Sequence, residues 1–69
     1  MAASQYRAYS VGYKENGIGK VAMAWGGKPS AERAYKIMRA RARTNSAITE
    51  IELLGMDAEG KPKLIEGSF

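Results

Sequence analysis

The residue types available for chemistry in this sequence are few, because its 69 residues include neither Cys nor His. Their absence excludes the commonest nucleophile–base pairs, as well as disulfides and ordinary zinc sites. Glu50 and Glu52 are two carboxylates spaced to share one face of a strand. They stand in an alternating Thr-Glu-Ile-Glu-Leu segment, which is typical of a solvated sheet face. We therefore predict no catalytic residue, no metal and no cofactor, and a binding protein rather than an enzyme.

The most informative pattern is a basic segment in the middle of the chain. Five of the eleven Lys and Arg residues fall between Ala31 and Arg43, where Glu32 is the single acidic residue. On a helix, Arg33 would point outward and Arg41 would lie on one flank, near Ile37. The opposite flank would carry three cations: Lys36, Arg39 and Arg43. Arginine forms forked contacts with phosphates and carboxylates, and cations also stabilise a helix C-terminus, so this face is either a partner-binding surface or a solvated one.

A functional basic face would bind a nucleic acid or an acidic protein surface, and the net charge of +4 favours anionic partners in general. With nucleic acid, Arg7 and Lys20 would add charge, and Tyr6 or Trp25 would stack on bases. The chain lacks the motifs of RNA-recognition sheets, Gly-x-x-Gly clamps and helix-turn-helix pairs. Nucleic-acid binding would therefore have little sequence preference.

The segment Gly26-Gly27-Lys28-Pro29-Ser30 precedes the basic helix and is a second candidate site. The backbone N–H of Gly27, the Lys28 ammonium and the Ser30 hydroxyl could hold a phosphate at the helix N-terminus. The protein would then sequester a small anionic ligand such as a nucleotide, across an oligomer interface. The full phosphate-loop spacing is absent and Pro29 removes one donor, so a plain strand-to-helix turn is the favoured interpretation.

The first elements that would position these residues form a hairpin. Gln5 to Tyr13 has the period-two pattern of a strand, with Tyr9, Val11 and Tyr13 on one face. Asn16 and Gly17 tolerate the positive φ of a tight turn. Ile18 to Trp25 forms the return strand.

A helix and two further strands follow the hairpin. Ser30 is predicted to cap a helix from Ala31 to about Arg43, ended by Thr44-Asn45-Ser46 with Asn45 in a left-handed conformation. Ile48 to Leu54 and Lys63 to Phe69 have the pattern of strands, joined by a loop over residues 55–60, and Pro62 restricts the last strand to a sheet edge. The helix carries an apolar stripe at spacings of three and four: Ala31, Ala34, Tyr35, Met38 and Ala42. In the third strand Thr49, Ile51 and Leu53 are predicted to share a face.

The order ββαββ predicts an α+β fold, a four-stranded antiparallel sheet with one helix packed on one face, in one domain over residues 1–69. The second strand is apolar on both faces, so the uncovered face would expose either Trp25 and Met23 or Ile18 and alanines. Exposed patches of this kind mark interfaces. A core this small also favours association, so we expect a homodimer or higher homo-oligomer as one possibility.

Membrane insertion and export are not indicated. No apolar run approaches the roughly 20 residues of a membrane span. Residues 1–4 lack the charged and apolar regions of a signal peptide. We expect a cytoplasmic protein.

The element order also carries a resemblance. A hairpin from Tyr6 to Trp25, a helix opening Ser30-Ala31-Glu32-Arg33-Ala34, and a strand pair from Ile48 to Phe69 together resemble the layout of some compact anti-CRISPR proteins of phages. The resemblance implies an inhibitor that docks on a host nucleic-acid-guided complex in the host cytoplasm. Archaeal ribosomal proteins share similar layouts, which keeps direct nucleic-acid binding as the alternative. The resemblance rests on order and length, so it transfers no functional residue.

Overall fold

The first hairpin forms around an Asn-Gly turn between two strands of alternating pattern. The structure, a computed structural model, describes residues 6–67, with side-chain positions for residues 6–65. Strand β1 (Ala8–Glu15) pairs antiparallel with β2 (Ile18–Gly26). Asn16 and Gly17 both have positive φ, 55° and 79°, which is the conformation that a tight two-residue hairpin turn requires at both positions. The predicted hairpin is confirmed, and its predicted first residue, Gln5, lies outside the described residues.

The sheet has the strand order β2-β1-β3-β4, with β3 (Ile48–Met56) and β4 (Pro62–Gly67). All neighbouring strands are antiparallel. Consequently β2 and β3 run parallel on either side of β1, and helix α1 (Lys28–Thr44) crosses the sheet between them. The predicted α+β fold and the edge position of Pro62 are confirmed, whereas the predicted end of the last strand, residues 68–69, is outside the described part.

Helix α1 begins three residues earlier than predicted. Gly27 is the N-cap, at φ −75° and ψ 155°, and no side chain caps the helix, so the prediction of Ser30 as cap was wrong. Pro29 is the reason, because its fixed φ suits the first helical turn and its missing N–H is not needed there. The helix ends as predicted after Thr44, but Asn45 is extended (φ −137°) rather than left-handed, and its Oδ1 accepts a hydrogen bond from the Ala47 N–H at 3.0 Å. Within residues 6–67, no helix is both long and apolar enough to cross a membrane.

The core lies between α1 and one face of the sheet. The helix stripe is confirmed: Ala31, Tyr35 and Met38 are buried, while Ala34 and Ala42 are partly buried against them. The facing strand residues are paired across the sheet, as in Val11 opposite Leu53. The other buried sheet side chains of this cluster are Tyr9, Ile48 and Ile51.

A bulge in β3 changes which residues face the core. Gly12 pairs with Glu52 and Lys14 with Thr49. Between these two pairs β1 advances by two residues and β3 by three, so β3 has one extra residue. Glu50 takes up the extra residue with φ 52°. Ile48 and Ile51 are therefore both buried and Thr49 is exposed, so the prediction that Thr49 shares the face of Ile51 and Leu53 was wrong.

Two register shifts also interrupt β2. They fall between the pairs Tyr9↔Gly26, Val11↔Met23 and Gly12↔Val21. The predicted strict alternation, which would expose either Met23 with Trp25 or Ile18 with the alanines, is therefore broken. Met23 packs against the core, whereas Trp25 is 42% exposed. Ile18, Ala22 and Ala24 are exposed, as the second alternative predicted.

Candidate functional site

The outer surface of α1 carries a row of cations that we call the basic flank: Lys36, Arg39 and Arg43. Their spacing of three and four residues places them along one side of the helix. With Ala40 they line a shallow depression of about 240 Å³. All three side chains are exposed, so the predicted grouping is present in the fold.

The charge of α1 is not neutralised by the rest of the described surface. Residues 28–44 hold six cations and one carboxylate, a net charge of +5, while the rest of the chain holds five cations and six carboxylates, a net charge of −1. Among side chains described in residues 6–65, no cation of α1 lies within 4.0 Å of a carboxylate. The ion pairs in this part of the chain involve other lysines: Lys14–Glu50 at 3.3 Å, Lys20–Glu15 at 3.6 Å and Lys63–Asp57 at 4.0 Å.

A cleft of about 310 Å³ opens beside the first half of α1, and we call it the tyrosine cleft. It exists because α1 packs on β1, β2 and β3 and not on β4 over the described residues, so the helix side of β4 stays open. Leu53 and Ile65 form its apolar wall. Its aromatic and charged lining consists of Tyr6, Tyr9, Tyr35, Lys28, Glu32 and Lys36.

The Tyr6 ring is held at the cleft by a close approach to the backbone of β3. A Cβ atom on Gly55 would lie 2.6 Å from Cγ of Tyr6 and 2.9 Å from Cδ1 of Ile65. Glycine at this position therefore lets the ring lie directly on the strand. Tyr6 also makes an edge-to-face contact with Tyr9, at a centroid distance of 5.7 Å and an interplanar angle of 76°.

The cleft and the basic flank are continuous through Lys36, which lines both. The flank therefore faces the β3–β4 side of the molecule. Arg39 lies next to the cleft as well, because its guanidinium carbon is 5.7 Å from the centroid of the Tyr35 ring. Aromatic surface and positive charge thus meet on one side of α1.

The structure does not bring Arg7 and Lys20 together. Lys20 lies on β2, on the far side of β1 from β3, and is paired with Glu15. The exposed Arg7 precedes β1, and its Nη1 donates to the Ala58 carbonyl at 3.4 Å. In the sheet register, Lys20 lies opposite Tyr13. Tyr13 is six residues from Arg7 along an extended segment, so Arg7 and Lys20 are about 20 Å apart along the strand direction.

Trp25 lies near the end of β2, two residues before the N-cap Gly27, and does not line the tyrosine cleft. The aromatic side chains that line the cleft are tyrosines. Sequence reasoning placed Tyr9 on one face of a strand and Tyr35 on the apolar stripe of the helix but gave neither a place in a site, although each has a hydroxyl that favours a position at the edge of a core. It also missed Glu32, Leu53 and Ile65 as lining residues.

The residues of the predicted anion site at the start of α1, Gly27, Lys28 and Ser30, are all exposed, and of these three Lys28 lines the tyrosine cleft. The Gly27 carbonyl accepts the Ala31 N–H at 3.1 Å, and Pro29 supplies no donor. Lys28, Glu32 and Lys36 are spaced by four residues, a signal that was hidden because the helix was predicted to begin after Lys28.

No family model, curated protein or solved structure matches this chain.

Glu50 and Glu52, the carboxylates considered for chemistry, are both exposed, as expected for a solvated sheet face. Glu50 is paired with Lys14 across the bulge.

Proposed function

We propose that this chain is a non-enzymatic binding protein whose basic flank binds the backbone of a nucleic acid. The observation that carries the proposal is the absence of carboxylate partners, within residues 6–65, for the cations of α1. Unpaired cations on an exposed helix attract polyanions. Each contact with a phosphate also releases a condensed counterion, which favours binding.

The dimensions of the flank agree with this partner. Lys36 and Arg43 are seven residues apart, which is about 10 Å along the helix axis. Three cations over this length can contact neighbouring phosphates of one strand, because a nucleic-acid backbone carries one negative charge per nucleotide. Two of its three cations are arginines, which bind phosphate oxygens with two parallel hydrogen bonds.

The test is fluorescence anisotropy with labelled 20-nucleotide DNA and RNA at low and physiological salt. We expect the double variant Arg39→Ala/Arg43→Ala to bind at least tenfold more weakly than the unsubstituted protein. The double variant Lys14→Ala/Lys61→Ala loses the same charge away from the flank and should bind nearly as well. Equal losses in the two variants would mean that net charge alone attracts the probe, and no binding at low salt would overturn the proposal.

Docking on a protein is a second candidate function, favoured by the sheet face that α1 does not cover. Val21 pairs with Gly12 and Leu64 with Leu54 on this face, and the two side chains are 69% and 58% exposed. The inhibitory role implied by the resemblance to anti-CRISPR proteins belongs to this candidate and stays a prediction.

Self-association is the most direct test of that face. If a second copy covers it, sedimentation should give twice the 7.5 kDa mass of one chain. Val21→Glu/Leu64→Glu should then return the protein to the single-chain mass, while the exposed-site control Thr49→Glu should not. A single-chain mass for the unsubstituted protein at high concentration would exclude a second copy as the occupant.

A further inference from the structure

We propose that the tyrosine cleft accepts one base of a single-stranded nucleic acid whose backbone follows the basic flank. This inference rests on the proposed function, because it requires that the flank binds phosphates. It adds the substrate class, single strands rather than duplexes, and a base-binding site that is distinct from the flank.

The shape and lining of the cleft suit a base. Its volume of about 310 Å³ is at the lower end of the range for small-molecule pockets, roughly 300–1,000 Å³. Tyr6 is only partly buried, and it lines the cleft. Leu53 and Ile65, on the sheet, add apolar side chains to its lining, and the charged residues of the lining are on α1. Flat aromatic rings bind bases of any identity by stacking, which agrees with the lack of a sequence-reading motif.

The charges around the cleft indicate how a nucleotide would be oriented. Lys28 and Lys36 are eight residues apart, about 12 Å along α1, with Glu32 between them. Phosphates on either side of the inserted nucleotide would each meet a lysine. The Glu32 carboxylate would repel phosphate and accept a hydrogen bond from a base N–H, so the base edge points toward the helix. From the second phosphate, at Lys36, the nucleic-acid backbone then continues along the flank to Arg39 and Arg43.

A duplex cannot occupy this site without extruding a base, which costs unpairing and unstacking free energy. We therefore expect the protein to bind a 20-nucleotide single strand about tenfold more tightly than the matching duplex at equal salt. A strand with the same backbone but several abasic positions should bind like the duplex. Free nucleoside monophosphates should bind far more weakly than the strand, since they do not reach the flank.

The variant that tests the cleft is Tyr6→Ala, with Tyr6→Phe as its matched control. Alanine should reduce single-strand binding roughly tenfold while leaving duplex binding unchanged, because a stacked base is lost. Phenylalanine keeps the ring and should retain single-strand binding. Photocrosslinking of the unsubstituted protein to a strand containing 5-iodouracil is independent of any folding defect, and its crosslinks should map to Tyr6.

The outcomes separate the two proposals. If single strands, abasic strands and duplexes bind equally well and Tyr6→Ala behaves like Tyr6→Phe, the cleft does not bind a base, although the proposed function survives. Crosslinks confined to Trp25 would likewise overturn the base site. Nucleoside monophosphates that bind as tightly as the strand, unaffected by Arg39→Ala/Arg43→Ala, would make the cleft a free-nucleotide site instead. Absence of binding to every probe would remove both proposals.

Discussion

The guanidinium carbon of Arg39 lies 5.7 Å from the centroid of the Tyr35 ring, one helical turn away on α1. Tyr35 is 4% exposed and belongs to the core, so its ring is fixed in position. The contact restrains an otherwise free arginine at the junction of the tyrosine cleft and the basic flank. Arg43 and Lys36 make no ring contact of this kind within the described residues, which makes Arg39 the most preorganised cation of the flank.

Replacing Arg39 with lysine tests this restraint. The charge remains, but the planar group that covers the ring and forks onto phosphate is lost. We expect roughly two- to fivefold weaker single-strand binding with an unchanged salt dependence, measured by anisotropy titrations. Arg43→Lys is the control and should have a smaller effect. Equal effects would show that the Tyr35 contact does not contribute.

The salt dependence of binding identifies which lysines and arginines contact phosphate. For single strands, each contact contributes about 0.7 to the slope of the logarithm of the binding constant against the logarithm of salt concentration. Lys28→Ala should reduce the magnitude of this slope by about 0.7. Arg41→Ala removes the same charge from the opposite flank of α1 and should leave the slope unchanged. A slope that Lys28→Ala leaves unchanged would place Lys28 outside the contact surface.

The bulge at Glu50 should invert the usual preference of a strand for valine over glycine. Glu50 has φ 52°, a conformation that costs a residue with a Cβ roughly 1–2 kcal/mol and glycine very little. The exposed Lys14–Glu50 ion pair offsets this by at most about 1 kcal/mol. In urea denaturation, Glu50→Gly should therefore be more stable than Glu50→Val. At Glu52, which does not have a positive φ, the order should be reversed, and the same order at both positions would contradict the assignment of the bulge.

The close approach of Tyr6 to Gly55 predicts a costly alanine substitution. The new Cβ would lie 2.6 Å from Cγ of Tyr6, so the ring must move. We expect Gly55→Ala to lower the free energy of unfolding by about 1–3 kcal/mol and to weaken single-strand binding. Gly19→Ala is the control, because a Cβ atom at that position would meet no other atom within 4 Å, and it should change stability by no more than about 0.5 kcal/mol.

Much of the fold could be predicted because local sequence and tertiary packing agree. Asn16 and Gly17 require positive φ, and the helix stripe that includes Tyr35 and Met38 has one consistent spacing. The departures occur where packing selects between local alternatives. Thr49 and Ile48 fit a strand equally well, and the bulge at Glu50 places Ile48 in the core because it is the more apolar of the two.

The candidate site was only partly predictable for the same reason. The basic flank follows from helical spacing alone, so Lys36, Arg39 and Arg43 could be grouped from the sequence. The tyrosine cleft depends on which strands α1 leaves uncovered, and this depends on the strand order. Residues distant in sequence, such as Tyr6 and Ile65, come together only because β1 and β4 both pair with β3.

The central position of β1 has a consequence for the order of assembly. Its pairing with β2 is local and closes over two residues, whereas its pairing with β3 brings Glu15 to Ile48 across 33 positions of the chain. Contacts between distant residues form late, since the entropy of closing the intervening segment must be overcome first. The hairpin should therefore form first, and the tyrosine cleft should be complete only in the last stage of folding. A single-stranded nucleic acid bound in the cleft would slow unfolding, because it would hold the first hairpin to the β3–β4 part of the molecule. These two parts separate first when the protein unfolds.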